Sequence, residues 1–473
     1  MAGESRGQLS LPALVSVVVG SMVGAGIFNL PGRFAAASGP LGALVSWIIA
    51  GTGMYTLARI FQMLARERPD IDSGVFSYAK EGFGNYLGFL SAFGYWLGSC
   101  LGNVFYWLLI CATLSRFFPE IFGTGSSLGA IAVALLGIWT FHLLILRGVE
   151  QATFINTVVT IAKIVPLLVA IVAMVIAFNA DIFRANFHGG AAMAGKPLWA
   201  QVRDTMLITV FVFLGIEGAS VYSRYAKKRS DIGTATLLGF LGVTGLMVAI
   251  TLLPYGVGTP QEIAGAAKPS LAGVLELAVG PWGALMVSLA VLVAVLGAYL
   301  VWTLMGAEVL YAAAQSQDMP RFFAGQNRNG VPARALWATN ALVSLFVIST
   351  HWSSDAFNFM LDMASVTALL PYLLVAGYGV LVARRGKAQG AARQDLVLAW
   401  IAVAYTLFMF VAAGLQYLLL TALLYVPGSL LYAWARRERG ARLFAGFERR
   451  IFVLVSAAAV AGLYGLATGR IVL

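Results

Sequence analysis

Apolar runs of about 20 residues recur from one end of this 473-residue chain to the other, and they leave few folds open. Each run is long enough to cross a hydrocarbon core ~30 Å thick. No water there satisfies a peptide group, so each run must close its own hydrogen bonds as a helix. With 60% hydrophobic and 11% charged residues, the chain has no room for a sizeable soluble domain. It reads as one all-α polytopic membrane domain over 1–473. Thirteen spans are expected, at 9–35, 42–66, 84–115, 126–147, 152–178, 200–224, 232–256, 281–314, 333–350, 355–384, 396–415, 418–435 and 450–469. The short turn signal at Gly414-Leu415-Gln416-Tyr417 is all that separates the eleventh from the twelfth, so twelve or thirteen spans fit. The first run leads straight into more spans, without a small-residue cleavage site, and reads as a retained span rather than a signal peptide.

Basic residues orient these spans. With the N-terminus cytoplasmic, the inside segments hold 23 Lys and Arg residues and the outside segments seven. The outside set is Arg33, Arg116, Arg184, Lys196, Arg203, Lys268 and Arg470. Such an asymmetry is the mark of a multi-pass topology. It also explains the net charge of +11 as a cytoplasmic rim rather than a nucleic-acid surface. With thirteen spans, the C-terminus falls outside.

One span contradicts itself. Residues 20–31 read GSMVGAGIFNLP, and three glycines in seven positions weaken a helix by roughly 0.5–1 kcal/mol each relative to alanine. The sixth span carries the same defect: FLGIEGAS places Gly215 and Gly218 around the charged Glu217. Two breaks five spans apart are the pattern of an inverted five-helix repeat, with corresponding helices unwound near the midplane. The repeats would be 9–178 and 200–384, followed by accessory helices over 396–469. Freed N–H groups and half-helix N-termini suit a carboxylate. Freed carbonyls suit an ammonium, and the two together suit an amino acid. Close packing of small residues is the plainer alternative for either glycine cluster alone.

A charge at mid-span costs ~2.5–3.5 kcal/mol or more, so each needs a reason. Lys163 lies in the fifth span, Glu217 at the sixth-span break and Glu308 in the eighth span. Glu308 reads as a structural ion pair near the inner surface, and Glu217 as a proton carrier or a gate brace. The Lys163 ammonium, beside the first break, would stand where a sodium ion could otherwise sit, or would serve as a structural hydrogen-bond donor. In the third span Tyr95, Ser99, Asn103 and Tyr106 share roughly one helical face, a polar stripe suited to a cavity. Trp302 and Phe211 are the aromatic candidates for a guanidinium or ammonium through cation–π attraction, although each alone is more often packing.

Other chemistries find no support. Cys100 and Cys111 lie eleven residues apart on one expected helix, ~16 Å, too far for a disulfide, and read as packing residues. His142, His188 and His351 are too scattered for a metal site. No nucleophile–base set, selectivity-filter repeat or ring of like charges appears.

These motifs resemble the amino acid–polyamine–organocation superfamily, its basic amino acid/polyamine antiporters, and within them most nearly the bacterial arginine/ornithine antiporters. The resemblance covers nearly the whole chain. It rests on GSMVGAGIFNLP, RPDIDSGVFSYAKEGFG, GYWLGSCLGN, FLGIEGASVYSRYAKKRSD, WTLMGAEVLYAAAQSQDMPRFF and VTALLPYLL. It implies a ten-helix core of two inverted repeats with extra helices outside. It implies no enzyme, no cofactor and no metal, but sodium-independent exchange of cationic amino acids in the bacterial inner membrane, with arginine entering and ornithine leaving. The alternatives are exchange with an amine product such as agmatine, cadaverine or putrescine, and proton-coupled symport. Relatives often form homodimers, yet nothing in the sequence marks the surface.

Carried over residue by residue, the resemblance puts the substrate carboxylate at the backbone of Met22, Gly24, Ala25, Gly26 and Ile27. It puts the α-ammonium at Gly215 and Ile216. Gly98, Ser99 and Asn103 would line the far end, Trp302 would stack on the aliphatic part, and Phe211 and Ser365 would complete the lining. Tyr95, Glu217 and Tyr372 would form an inner gate, and Lys163 would replace the sodium of other members. Two departures stand out: Phe211 where arginine-handling relatives often carry Trp, and Ala25 where Ser is common.

Overall fold

The computed structural model describes residues 9–71, 75–123, 125–148, 150–217, 226–228, 230–353, 355–388 and 393–471, with 150–162 and 386–388 described by backbone alone. Gly218 to Tyr225, which include the last seven residues of the expected sixth span, lie outside the described residues, as do Asp72-Ser73-Gly74 of the first-loop motif.

The described chain is helical. In order, the helices are α1 (Leu11–Met22), α2 (Leu30–Ala37), α3 (Pro40–Glu67), α4 (Val75–Phe83), α5 (Asn85–Ser115), α6 (Leu128–Leu146), α7 (Glu150–Ile176) and α8 (Ala180–Asn186). They continue with α9 (Leu198–Phe213), α10 (Ser230–Leu252), α11 (Ser270–Val279), α12 (Pro281–Gln315), α13 (Ala333–Ser349), α14 (Ala356–Ala388), α15 (Arg393–Arg437) and α16 (Gly446–Ala467). Among the described residues nine helices are long and apolar enough to cross a membrane, and two bent pairs bring the number to eleven. Prolines at first-turn positions start α2, α3 and α12, where a missing N–H costs nothing. Ser127 caps α6 by accepting from the Ala130 amide.

Two expected spans differ in form. The sixth is not one helix, because α9 stops at Phe213 after 16 residues. The eleventh and twelfth run together in α15, whose 45 residues would measure ~67 Å as one rod, over twice a bilayer core. Only Gly414 leaves helical geometry, at φ 78° and ψ 159°. Both ends of α15 lie on the same face, since Asp395 pairs with Arg66 and Glu438 accepts from the Arg321 amide. The chain therefore turns back at Gly414.

The most interior helix is α5, and α16 is the most peripheral. Small residues let neighbours approach α5: a Cβ on Gly98 would lie 2.6 Å from Thr367 Oγ1 of α14. Charges sort by face. Lys80 pairs with Asp318, and Arg68 with Asp70 and Glu81, on the basic face. Arg33 pairs with Asp362, Arg116 with Glu276, and Lys196 with Asp204 on the opposite face. No ion pair seen among the described residues joins the two sets.

Candidate functional site

The first break follows from close approach. α1 closes at Met22, Val23 leaves helical geometry, Gly24 is extended at φ −105° and ψ −156°, and a 3₁₀ turn over Ala25–Asn29 leads into α2 at a 41° bend. A Cβ on Gly24 would lie 2.5 Å from the Tyr106 hydroxyl, and one on Gly26 2.8 Å from the Phe211 ring. A helix with ordinary side chains could not bring these rings so near its backbone. Breaking it leaves carbonyls at the α1 end without helical partners. Two of them are met by side chains from elsewhere. Lys163 Nζ donates to Gly20 O at 2.8 Å, and Trp302 Nε1 donates to Ser21 O at 3.1 Å. The Gly24 amide turns back to Met22 O at 2.9 Å.

The second break touches the first. Leu214 leaves the α9 helix, and Gly215 takes φ +99°, a conformation that only glycine adopts without strain. A Cβ there would lie 2.7–2.9 Å from Ser21 atoms. Ser21 Oγ reaches Gly215 O at 2.9 Å, and also its own helix carbonyls at Val17 and Val18. One hydroxyl hydrogen thus serves three acceptors, and the bond between the breaks is one it can release. The Ile216 amide donates to Phe213 O at 3.2 Å.

Glu217, fully buried, ties three elements together. Its carboxylate accepts from Tyr95 of α5 at 2.6 Å, from Tyr372 of α14 at 2.7 Å, and from the Gly215 amide at 3.3 Å. Tyr95 precedes Asn103 along α5, toward the basic face; Phe105 follows it, toward the opposite face. Phe211 meets the Phe105 ring edge-on at 4.9 Å, and Phe105 meets Phe357 at 4.6 Å. Two side-chain clusters therefore bracket the breaks, ~15 Å apart along α5.

Between them Asn103 Nδ2 donates to Thr303 Oγ1 at 3.2 Å, while its Oδ1, buried, has no partner among the described residues. Trp302 lies against the Tyr95 ring with centroids 6.2 Å apart. Met22, Ala25 and Ile27 are buried around the first break. Ser99 and Ser365 are buried too, but their hydroxyls return to their own helices, at Tyr95 O and Leu361 O. Gly98 is filled against Thr367 and the Ala364 carbonyl.

Sequence reasoning missed three residues here: Ser21, which joins the breaks; Thr303, which orients Asn103; and Tyr106 in its role as the cover of Gly24. Thr303 follows Trp302 directly and would have been found by asking what Asn103 bonds to on the facing helix. Glu308 lies half-buried on α12. Cys100 and Cys111 are buried and free, and His142 is buried beside Asn340 of α13. No group of three metal-ligating side chains occurs among the described residues.

Two helix breaks in contact through Ser21 and Gly215, with the buried Lys163 at one and the buried Glu217 at the other, are the arrangement of a broken-helix membrane transporter. The amino acid permease family model matches residues 9–434, and the chain belongs to that family. It is 46% identical to the arginine/ornithine antiporter of Pseudomonas aeruginosa across all of both chains. It is 38% identical to the L-lysine transport protein of Corynebacterium glutamicum, covering 99% of this chain and 97% of that one. Identity to the arginine/agmatine antiporter of Chlamydia caviae is 35%, over 99% of each chain. The crystal structure of MhsT in complex with L-phenylalanine shares the fold, with a TM-score of 0.61 at 19% identity over 86% of this chain and 100% of MhsT.

Proposed function

We propose that this chain exchanges cationic amino acids across the bacterial inner membrane by alternating access, arginine for ornithine, without sodium. The observation that carries the reading is the pair of joined breaks with Lys163 donating to Gly20 O. An ammonium held by the protein braces the first break where a bound cation would otherwise have to. The backbone of Gly24 to Ile27 then receives the substrate carboxylate, and that of Gly215 and Ile216 its α-ammonium. The substrate's far cation meets Asn103 Oδ1, the unfilled acceptor. The Tyr95–Glu217–Tyr372 cluster closes the cytoplasmic side, with the N-terminus on that side. The names of the relatives support arginine and ornithine over other cations. The inverted repeats at 9–178 and 200–384, the accessory helices at 396–469 and a homodimer are carried in the proposal on the resemblance alone.

Swapping one monocation for another moves no net charge. Proteoliposomes loaded with ornithine should take up labelled arginine, and do so equally with and without an imposed potential. Equal uptake into empty vesicles would overturn exchange in favour of uniport or symport. Voltage-sensitive uptake would point to an amine as the counter-substrate.

A further inference from the structure

A cavity of about 630 Å³ opens on the face opposite the basic rim, and four of its lining residues are cationic: Arg33, Lys196, Arg203 and Lys268. Three of them pair with two neighbouring carboxylates. Arg33 pairs with Asp362 at 2.6 Å, Lys196 with Asp204 at 3.0 Å, and Arg203 with Asp204 at 2.9 Å. Lys268 has no carboxylate at ion-pair distance among the described residues. Its ammonium lies 4.0 Å from the centre of the Phe357 ring instead. The formal charges acting on it are Asp355, which favours its proton, and Arg33, which opposes it. Burial acts more strongly than either and lowers the Lys268 pKa.

Phe357 is no isolated ring. It packs on Phe105, Phe105 on Phe211, and Phe211 covers Gly26 of the first break. Phe357 is itself buried and the cavity is lined by Lys268 rather than by the ring, so an aromatic column runs from beneath Lys268 to the broken helix, with a cation standing on its outer end. A ring that holds an alkyl ammonium in this geometry holds a guanidinium at least as well, because both are drawn by the same quadrupole.

We propose that the outer face of Phe357 is a second binding site, for the guanidinium or ammonium side chain of the transported amino acid, and that Lys268 is its tethered occupant. The inference rests on the proposed transport of cationic amino acids. An arriving substrate displaces Lys268, which swings into the cavity, and the column then opens inward with the substrate already engaged. A leaving substrate is displaced by Lys268 in turn, which speeds its release.

The test is a double-mutant cycle read as arginine KM from the cavity face of reconstituted vesicles. Lys268→Met should lower that KM about three- to tenfold by removing the competitor, and Lys268→Arg should not. Phe357→Leu should raise it by a similar factor, and adding Lys268→Met to it should then change nothing. A Lys268→Met KM that stays put or rises, or an equal Lys268→Met effect with and without the ring, overturns the proposal. Amine labelling of Lys268 separates this from the transport reading. Methylguanidinium should accelerate its modification several-fold in the unaltered protein, whatever that protein carries, and an unchanged rate would overturn the outer site even in an active exchanger.

Discussion

Ser21 Oγ and the carbonyl of Gly215 lie 2.9 Å apart across 194 residues of sequence, and that contact makes one site of two helix breaks. Each break is tied to the rest of the protein by a charged side chain, Lys163 for the first and Glu217 for the second. A movement of either break therefore strains these bonds.

Gly215→Ala should abolish exchange and destabilise the protein. Its φ of +99° costs an L-residue roughly 1–2 kcal/mol, and the new methyl group meets Ser21. Thermal unfolding in detergent and exchange flux should fall together. A stable, active variant would show that the turn is not needed.

Lys163→Met leaves the Gly20 carbonyl buried without its donor, at about 1–3 kcal/mol. Exchange should drop at least roughly tenfold. In the unaltered protein, replacing sodium by choline should leave the flux as it was. A sodium requirement there would remove the reason for assigning Lys163 the bracing role.

Thr303→Val deprives Asn103 Nδ2 of its acceptor and lets the amide turn. Arginine KM should rise about fivefold, the equivalent of one ordinary hydrogen bond, with kcat nearly unchanged. Thr303→Ser should restore it. If Ser and Val behave alike, the hydroxyl does not orient Asn103.

Asp318 gives a pH dependence. Burial raises its carboxyl above the usual carboxylate range, while Lys80 at 2.8 Å, Arg439 and Arg436 pull it back in part. The folded state then holds this proton more tightly than the unfolded chain does. The stability from Asp318 is full below the unfolded value of about 3.9 and is lost as pH rises through the raised folded value. Relative to the unaltered protein, Asp318→Asn should gain stability with rising pH across that window and stay flat above it. A constant difference from about pH 4 to 7 would refute the shift.

Much of this was legible in the sequence, for physical reasons. A span cannot hide, because twenty apolar residues have few other uses. The breaks announced themselves because glycine is costly in a helix and a buried acid more so. Lys163 stood out as a charge at mid-membrane. What stayed illegible was partnership. Ser21 reads as one more small residue until Gly215 is brought beside it, and Thr303 has no distinguishing chemistry until Asn103 faces it. Lys268 was counted only as an outside positive charge, since nothing local in Ala-Lys-Pro foretells an aromatic ring 89 positions later. Gly414 was seen as a turn between two closely spaced helices, and α15 shows them separated by that one residue alone.

The polar atoms offered at the junction of the two breaks belong largely to the main chain. A substitution can remove a side chain, but it cannot delete a carbonyl. Evolutionary drift or deliberate redesign in such a carrier has its freedom at the rings and amides around the breaks, at Phe211, Asn103 and Phe357. On the proposed binding mode, what the carrier accepts beyond the α-carbon can therefore diversify quickly, while the part of the cargo common to every amino acid is read by atoms that no codon encodes separately.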